Sequence, residues 1–72
     1  MKKITYPLLY ITRKEHGHTQ SYVARKLNLS SQRYSLKELG KANWTLPEAQ
    51  KLSEMYGIPI EQLFSTEFPI AQ

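Results

Sequence analysis

Between positions 31 and 37 stands a stretch, Ser31-Gln32-Arg33-Tyr34-Ser35-Leu36-Lys37, rich in side chains that can read nucleic-acid bases. In the major groove of B-DNA every base pair shows a distinct edge; Gln can pair with adenine and Arg with guanine through two hydrogen bonds each. Phosphates are held by Lys, Arg and the amides at helix N-termini. Ser31, Gln32, Arg33 and Lys37 together supply such groups, unless they are only a solvated polar face. Other chemistries find less support. No nucleophile is paired with a base, and the six Glu are scattered singly, so no enzyme is expected. His16 and His18 lie two apart with no Cys or Asp nearby to complete a shell, so neither metal nor other cofactor is expected. Trp44 and the five Tyr could stack unpaired bases. Tyr22, Tyr34 and Tyr56 are more simply packing residues at helical spacing, and Trp44 a staple for the helix it precedes.

A reading face needs a rigid rod to present it, and the flanking residues describe one. Thr19 is an N-cap candidate, and Val23, Ala24 and Leu27 fall on one narrow face of a helix over residues 20–27. Ala24 is small where a second helix must approach closely. Asn28 tolerates positive φ. Leu29 leads into Ser30, another N-cap. Two helices joined by about three residues have the spacing of a helix-turn-helix. The second spans residues 31–38 and stops before Gly40, with 41–44 as a connection.

The remaining elements form the body. Pro7 suits a first helical turn, Leu8, Leu9 and Ile11 give an apolar side, and His16-Gly17 ends that helix. Thr45-Leu46-Pro47-Glu48 reads as a capping box opening a helix whose inward stripe is Leu46, Ala49, Leu52, Met55 and Tyr56. Gly57 closes it. A last short helix follows Ile58-Pro59, with Ile60, Leu63 and Phe64 inward. The expected fold is all-α, a compact bundle of five short helices. Its divisions are an N-terminal arm over 1–6, the helix-turn-helix domain over 7–64 and a tail over 65–72. Lys2 and Lys3 could lie over DNA or simply fray. Phe68-Pro69-Ile70 could pack across a dimer or over its own core.

Seventy-two residues make one domain with a thin core. Without cysteine there is no disulfide or thiolate metal site to staple it, and a reduced cytoplasm, here a bacterial host cell, is the expected setting. No apolar run can cross a bilayer, and residues 7–11 are too short and too polar-flanked for a signal peptide. Charge is divided unevenly. Residues 1–41 hold nine of the ten Lys and Arg and two of the six Glu, a net +7, while residues 42–72 carry one Lys against four Glu, a net −3. A molecule basic at one end suits a polyanion there.

The chain resembles the lambda-repressor-like helix-turn-helix regulators of the XRE, or Cro/repressor, type. The likeness runs from about Leu8 to Phe64. It is carried by Arg13 and Gly17, Thr19-Gln20, Val23-Ala24 with Leu27, Leu29-Ser30, Tyr34-Ser35, Glu38, Gly40-Lys41, Tyr56-Gly57-Ile58-Pro59 and Leu63-Phe64. The resemblance implies that helices two and three form the DNA-binding unit. It implies that Gln20 contacts a phosphate and buttresses the reading helix, that Ser31, Gln32, Arg33 and Leu36 meet bases, and that Ser35, Lys41 and Asn43 lie near the sugar-phosphate backbone. Lys37 joins this set by its charge and position. Family members usually bind as dimers to half-sites about 34–36 Å apart or a multiple of that. Thr12, His18 and Lys37 stand where the family usually has apolar residues. The Lys37 stem is expected to pack while its amine reaches solvent. Ser35-Leu36-Lys37 looks like some phage-encoded members.

Two functions follow as expectations. The first is a sequence-specific regulator, Cro-like or a short repressor of a temperate phage or its host, occupying a double-stranded DNA operator, possible as a homodimer. The second is an anti-repressor that docks on a phage repressor protein and masks its DNA-reading surface, with Leu36 and the acidic, apolar C-terminal half suited to the contact. An antitoxin is a weaker third reading, since it usually needs a longer extension than residues 65–72.

Overall fold

Proline at the first helical position and a run of local caps divide the chain into five helices. They are α1 (Pro7–Glu15), α2 (Gln20–Lys26), α3 (Ser31–Glu38), α4 (Leu46–Tyr56) and α5 (Ile60–Leu63). The computed structural model describes residues 4–67, and no strand occurs among them. The tail residues Phe68-Pro69-Ile70 and the basic Lys2-Lys3 lie outside the described residues.

Each expected cap forms. Thr19 Oγ1 accepts from the Tyr22 amide at 3.0 Å and Ser30 Oγ from the Arg33 amide at 3.1 Å. At Thr45 the capping box is reciprocal. Thr45 Oγ1 accepts from the Glu48 amide at 3.3 Å, and Glu48 Oε1 accepts from the Thr45 amide at 3.0 Å. Helix α2 ends one residue earlier than expected, with Leu27 as its C-cap. Asn28 then takes φ 59, and the Leu29 amide closes the turn on Ala24 O at 2.8 Å. That turn decides the angle at which α3 leaves α2.

Helix packing is closest between α2 and α3, α4 and α5, and α1 and α5. Leu9, Val23, Ala24, Tyr34, Leu52 and Leu63 form the buried core, one or two residues from each helix. Trp44 packs edge-on between Tyr34 (centroids 5.7 Å apart) and Phe64 (5.1 Å), joining α3 to α5 and not acting as a staple of α4 alone. The stripe of α4 buries Ala49 and Leu52 and half-buries Met55 and Tyr56. Leu46 departs from it. At the first helical position it is 65% exposed, on the rim of a shallow cleft with Trp44, Ile60 and Phe64. Among the described residues no helix is long and apolar enough to cross a membrane.

Candidate nucleic-acid interface

Helix α3 turns one side into the core through Tyr34 and Glu38 and presents the other to solvent. Ser31, Gln32, Arg33 and Leu36 are exposed, Leu36 by 45%. At 100° per residue, Gln32 and Leu36 form the crest. One flank of α3 lines a cleft in which Ser31, Gln32 and Ser35 meet Gln20 of α2 and Lys14 of α1. The opposite flank lines a second cleft, where Arg33, Leu36 and the largely buried Lys37 meet Ala42 and Asn43 of the following loop. Lys41 is exposed in that loop. The structure therefore gathers Gln20, Ser31, Gln32 and Ser35 on one side of a ridge and Arg33, Leu36 and Asn43 on the other. The ion pairs among the described residues are Arg13–Glu38 and Lys37–Glu48. Lys14 in the first cleft, Arg33 on α3 and Lys41 in the following loop are exposed and in neither, so the positive charge around α3 has no ion-pair partner among the described residues.

The ridge is held from behind by a buried carboxylate. Glu38 accepts from Arg13 Nε at 2.8 Å and Nη2 at 3.2 Å, from Gln20 Nε2 at 2.8 Å and from the Tyr34 hydroxyl at 2.8 Å. Arg13 Nη1 reaches on to His18 O at 3.0 Å. Helices α1, α2 and α3 and the first turn are thus tied at one side chain. The resemblance implied that Gln20 buttresses the reading helix, and its amide nitrogen does bond Glu38 in the last turn of α3. Burial raises the Tyr34 phenol far above its ordinary value, and the Glu38 charge and hydrogen bond raise it further, with Arg13 opposing. The phenol stays a neutral donor.

Lys37 requires a correction. Its amine does not reach solvent. The residue is 8% exposed, and Nζ donates to Glu48 Oε1 at 2.6 Å and to Asn43 O at 3.0 Å. The ammonium also lies 5.8 Å from the centroid of the Trp44 ring. It sits 240° round the helix from Ser31, beside the core-facing Tyr34 and Glu38, and a carboxylate eleven residues ahead meets it there. Burial alone would raise the Glu48 carboxyl, but hydrogen bonds from Lys37 and the Thr45 amide outweigh it and hold the group below the usual carboxylate value. Lys37 is therefore not part of the exposed face of α3.

A comparison of the whole sequence with protein families finds one described as Helix-turn-helix over residues 9–63. The chain belongs to this family. It is a lambda-repressor-like helix-turn-helix protein of the XRE type, all-helical, and a DNA-binding transcription regulator. No curated protein matches its sequence.

For a helix-turn-helix protein the first cleft has further lining residues that sequence reasoning passed over: Tyr10, Lys14, His18 and Ser21. Lys14 had a signal, as a cation in the last turn of α1. His18 had none, because its place depends on a partner far along the chain. Its Nδ1 lies 2.9 Å from the Tyr56 hydroxyl, and its ring packs against Tyr22 with centroids 4.4 Å apart. His16 joins the cluster, 4.9 Å from the Tyr56 ring. The pair thus anchors the end of α1 to the end of α4. Burial also raises the Tyr56 phenol, with Arg13 opposing and Glu38 and Tyr22 adding to it.

Proposed function

We propose that the chain is a sequence-specific operator-binding regulator, Cro-like or a short repressor of a temperate phage or its bacterial host, that acts by occupancy and without catalysis. The observation that carries this reading is the exposed crest of α3 flanked by a cleft on each side. A major groove has the complementary form, a floor of base edges between two raised phosphate strands. On this reading Ser31, Gln32, Arg33 and Leu36 face bases. Gln20 and Ser35 on one flank, and Lys41 and Asn43 on the other, approach the backbone. Two copies bound to half-sites one helical turn apart would cover an operator, in the cytoplasm of the host.

A gel shift of the purified protein on the DNA upstream of its own gene tests this. Retardation at one duplex and not at scrambled duplexes is expected. Arg33→Ala should weaken the specific complex by about 1–3 kcal/mol and relax the preference at one base position. Equal retardation of every duplex would count against operator recognition.

The 45% exposure of Leu36, a large apolar side chain on the crest, also favours the second reading, docking on a phage repressor. There Leu36→Glu should abolish co-purification with the neighbouring repressor, and an unchanged pull-down dismisses it.

A further inference from the structure

One carboxylate oxygen is shared between α3 and α4. Glu48 Oε1 accepts from the Thr45 amide at 3.0 Å, which starts α4, and from Lys37 Nζ at 2.6 Å, which ends α3. The same Nζ donates to Asn43 O at 3.0 Å, and its charge faces the Trp44 ring. One ammonium therefore holds a backbone carbonyl of the loop, an aromatic face of the loop and the carboxylate that caps the next helix. The closest helix packing joins α3 to α2 and α4 to α5, so this clasp spans the joint between those two pairs. The loop it grips carries Lys41 and Asn43, and Asn43 lines the second cleft with Arg33 and Leu36.

We propose that Lys37 is a positioning residue for DNA: it touches no nucleic acid, and through Glu48 and Asn43 it sets where the 41–43 backbone stands relative to α3. The proposal rests on the DNA-binding reading above. A mobile loop would have to be ordered on binding, and an ordered one already holds its groups in place. The Lys41 amide already ties the start of the loop to Leu36 O at 2.9 Å, and the buried ammonium fixes its far end by donating to Asn43 O and to Glu48. An apolar side chain at position 37 would fill the space without gripping the carbonyl.

Lys37→Met keeps the stem and removes the ammonium. Glu48→Gln keeps an oxygen for the Thr45 amide and removes the charge. Anisotropy titrations of a labelled duplex from the chain's own upstream DNA, at several salt concentrations, separate the possibilities. Lys37→Met, which removes both bonds, should bind about tenfold more weakly. Glu48→Gln, which leaves the bond to Asn43 O, should bind more weakly than wild type but by less. The double variant should be no weaker than Lys37→Met, because the link to Glu48 is already lost with the ammonium. The slope of log affinity against log salt should match wild type, since no phosphate contact is lost. A direct phosphate contact by Lys37 would instead lower that slope by about 0.9 and leave Glu48→Gln harmless, which overturns the proposal. Unchanged affinity in both variants overturns it as well. Helical circular dichroism at the titration temperature verifies folding, and if Lys37→Met fails it, Glu48→Gln alone decides by the same criteria. A wild-type protein that retains no duplex refutes the DNA reading itself, and the clasp's role with it. Wild-type binding equalled by the variants refutes only the clasp.

Discussion

A carboxylate taken out of water needs donors for its lone pairs, and Glu38 is given four hydrogen bonds. Breaking a buried ion pair by removing one partner costs about 3–5 kcal/mol, because the other charge stays buried. A small domain has only about 5–15 kcal/mol in total. Arg13→Met should therefore leave the protein largely unfolded or melting far below wild type in a urea titration followed by circular dichroism. Arg25→Ala, on an exposed position, should shift the midpoint hardly at all. Protonation gives a second test. The folded state holds the Tyr34 phenol above its ordinary value, so folding favours the neutral form. Stability from this source is complete below about pH 10, where the unfolded phenol starts to ionise, and falls as pH rises further. Tyr56 shifts the same way and adds to the fall. Tyr34→Phe should make the alkaline decline in melting temperature shallower, while lowering stability at neutral pH by the donor lost to Glu38. Glu48 has the opposite sign. Its folded-state value is lowered from 4.5, so its contribution is present above that pH and lost as pH falls beneath it. Glu48→Gln should flatten the acid limb of the same curve.

At the scale of elements, the helices begin and end where local chemistry satisfies their terminal amides and carbonyls. Thr45→Ala should cost about 1 kcal/mol, the usual worth of an N-cap, read from thermal unfolding. The turns discriminate more finely. Gly57 and Gly40 both have positive φ, at 67° and 81°. A Cβ at Gly57 meets nothing within 4 Å, while one at Gly40 would stand 2.9 Å from Thr5 Cγ2. Gly57→Ala should thus cost about 1–2 kcal/mol for the backbone alone, and Gly40→Ala distinctly more. Equal losses would show that Thr5 yields freely. Thr5 Oγ1 donates to Leu39 O at 2.7 Å, so it is attached to the end of α3. The bounds of α3 and α4 were legible because their caps lie within three residues of the helices they start. The exposure of Leu46 was not, because periodicity places a residue on a face but cannot say how far the body extends under it.

For the whole molecule, the decisive quantity is the uncompensated positive charge around α3. Binding that neutralises several phosphates releases counterions, and log affinity falls by about 0.9 per phosphate for each decade of salt. A duplex titration should show a steep salt dependence. Lys41→Ala should lower the slope by about 0.9 if it meets a phosphate, and Lys51→Ala, on α4, should leave it alone. A flat wild-type response would rule out electrostatic docking on DNA.

Chain order alone determined what depends on neighbours in sequence. This covers five helices, their caps, the turn at Asn28 and the outward stretch Ser31-Gln32-Arg33, because capping, turn conformation and apolar period act over a few residues. Tertiary structure decided the fate of charges. Arg13 finds Glu38 twenty-five residues away, and Lys37 finds Glu48 eleven away and turns inward. A side chain's partner across the fold depends on how helices pack, and a long flexible cation goes to whichever carboxylate the packing brings within reach. Local pattern can mark Lys37 as polar, but only three-dimensional proximity makes it internal.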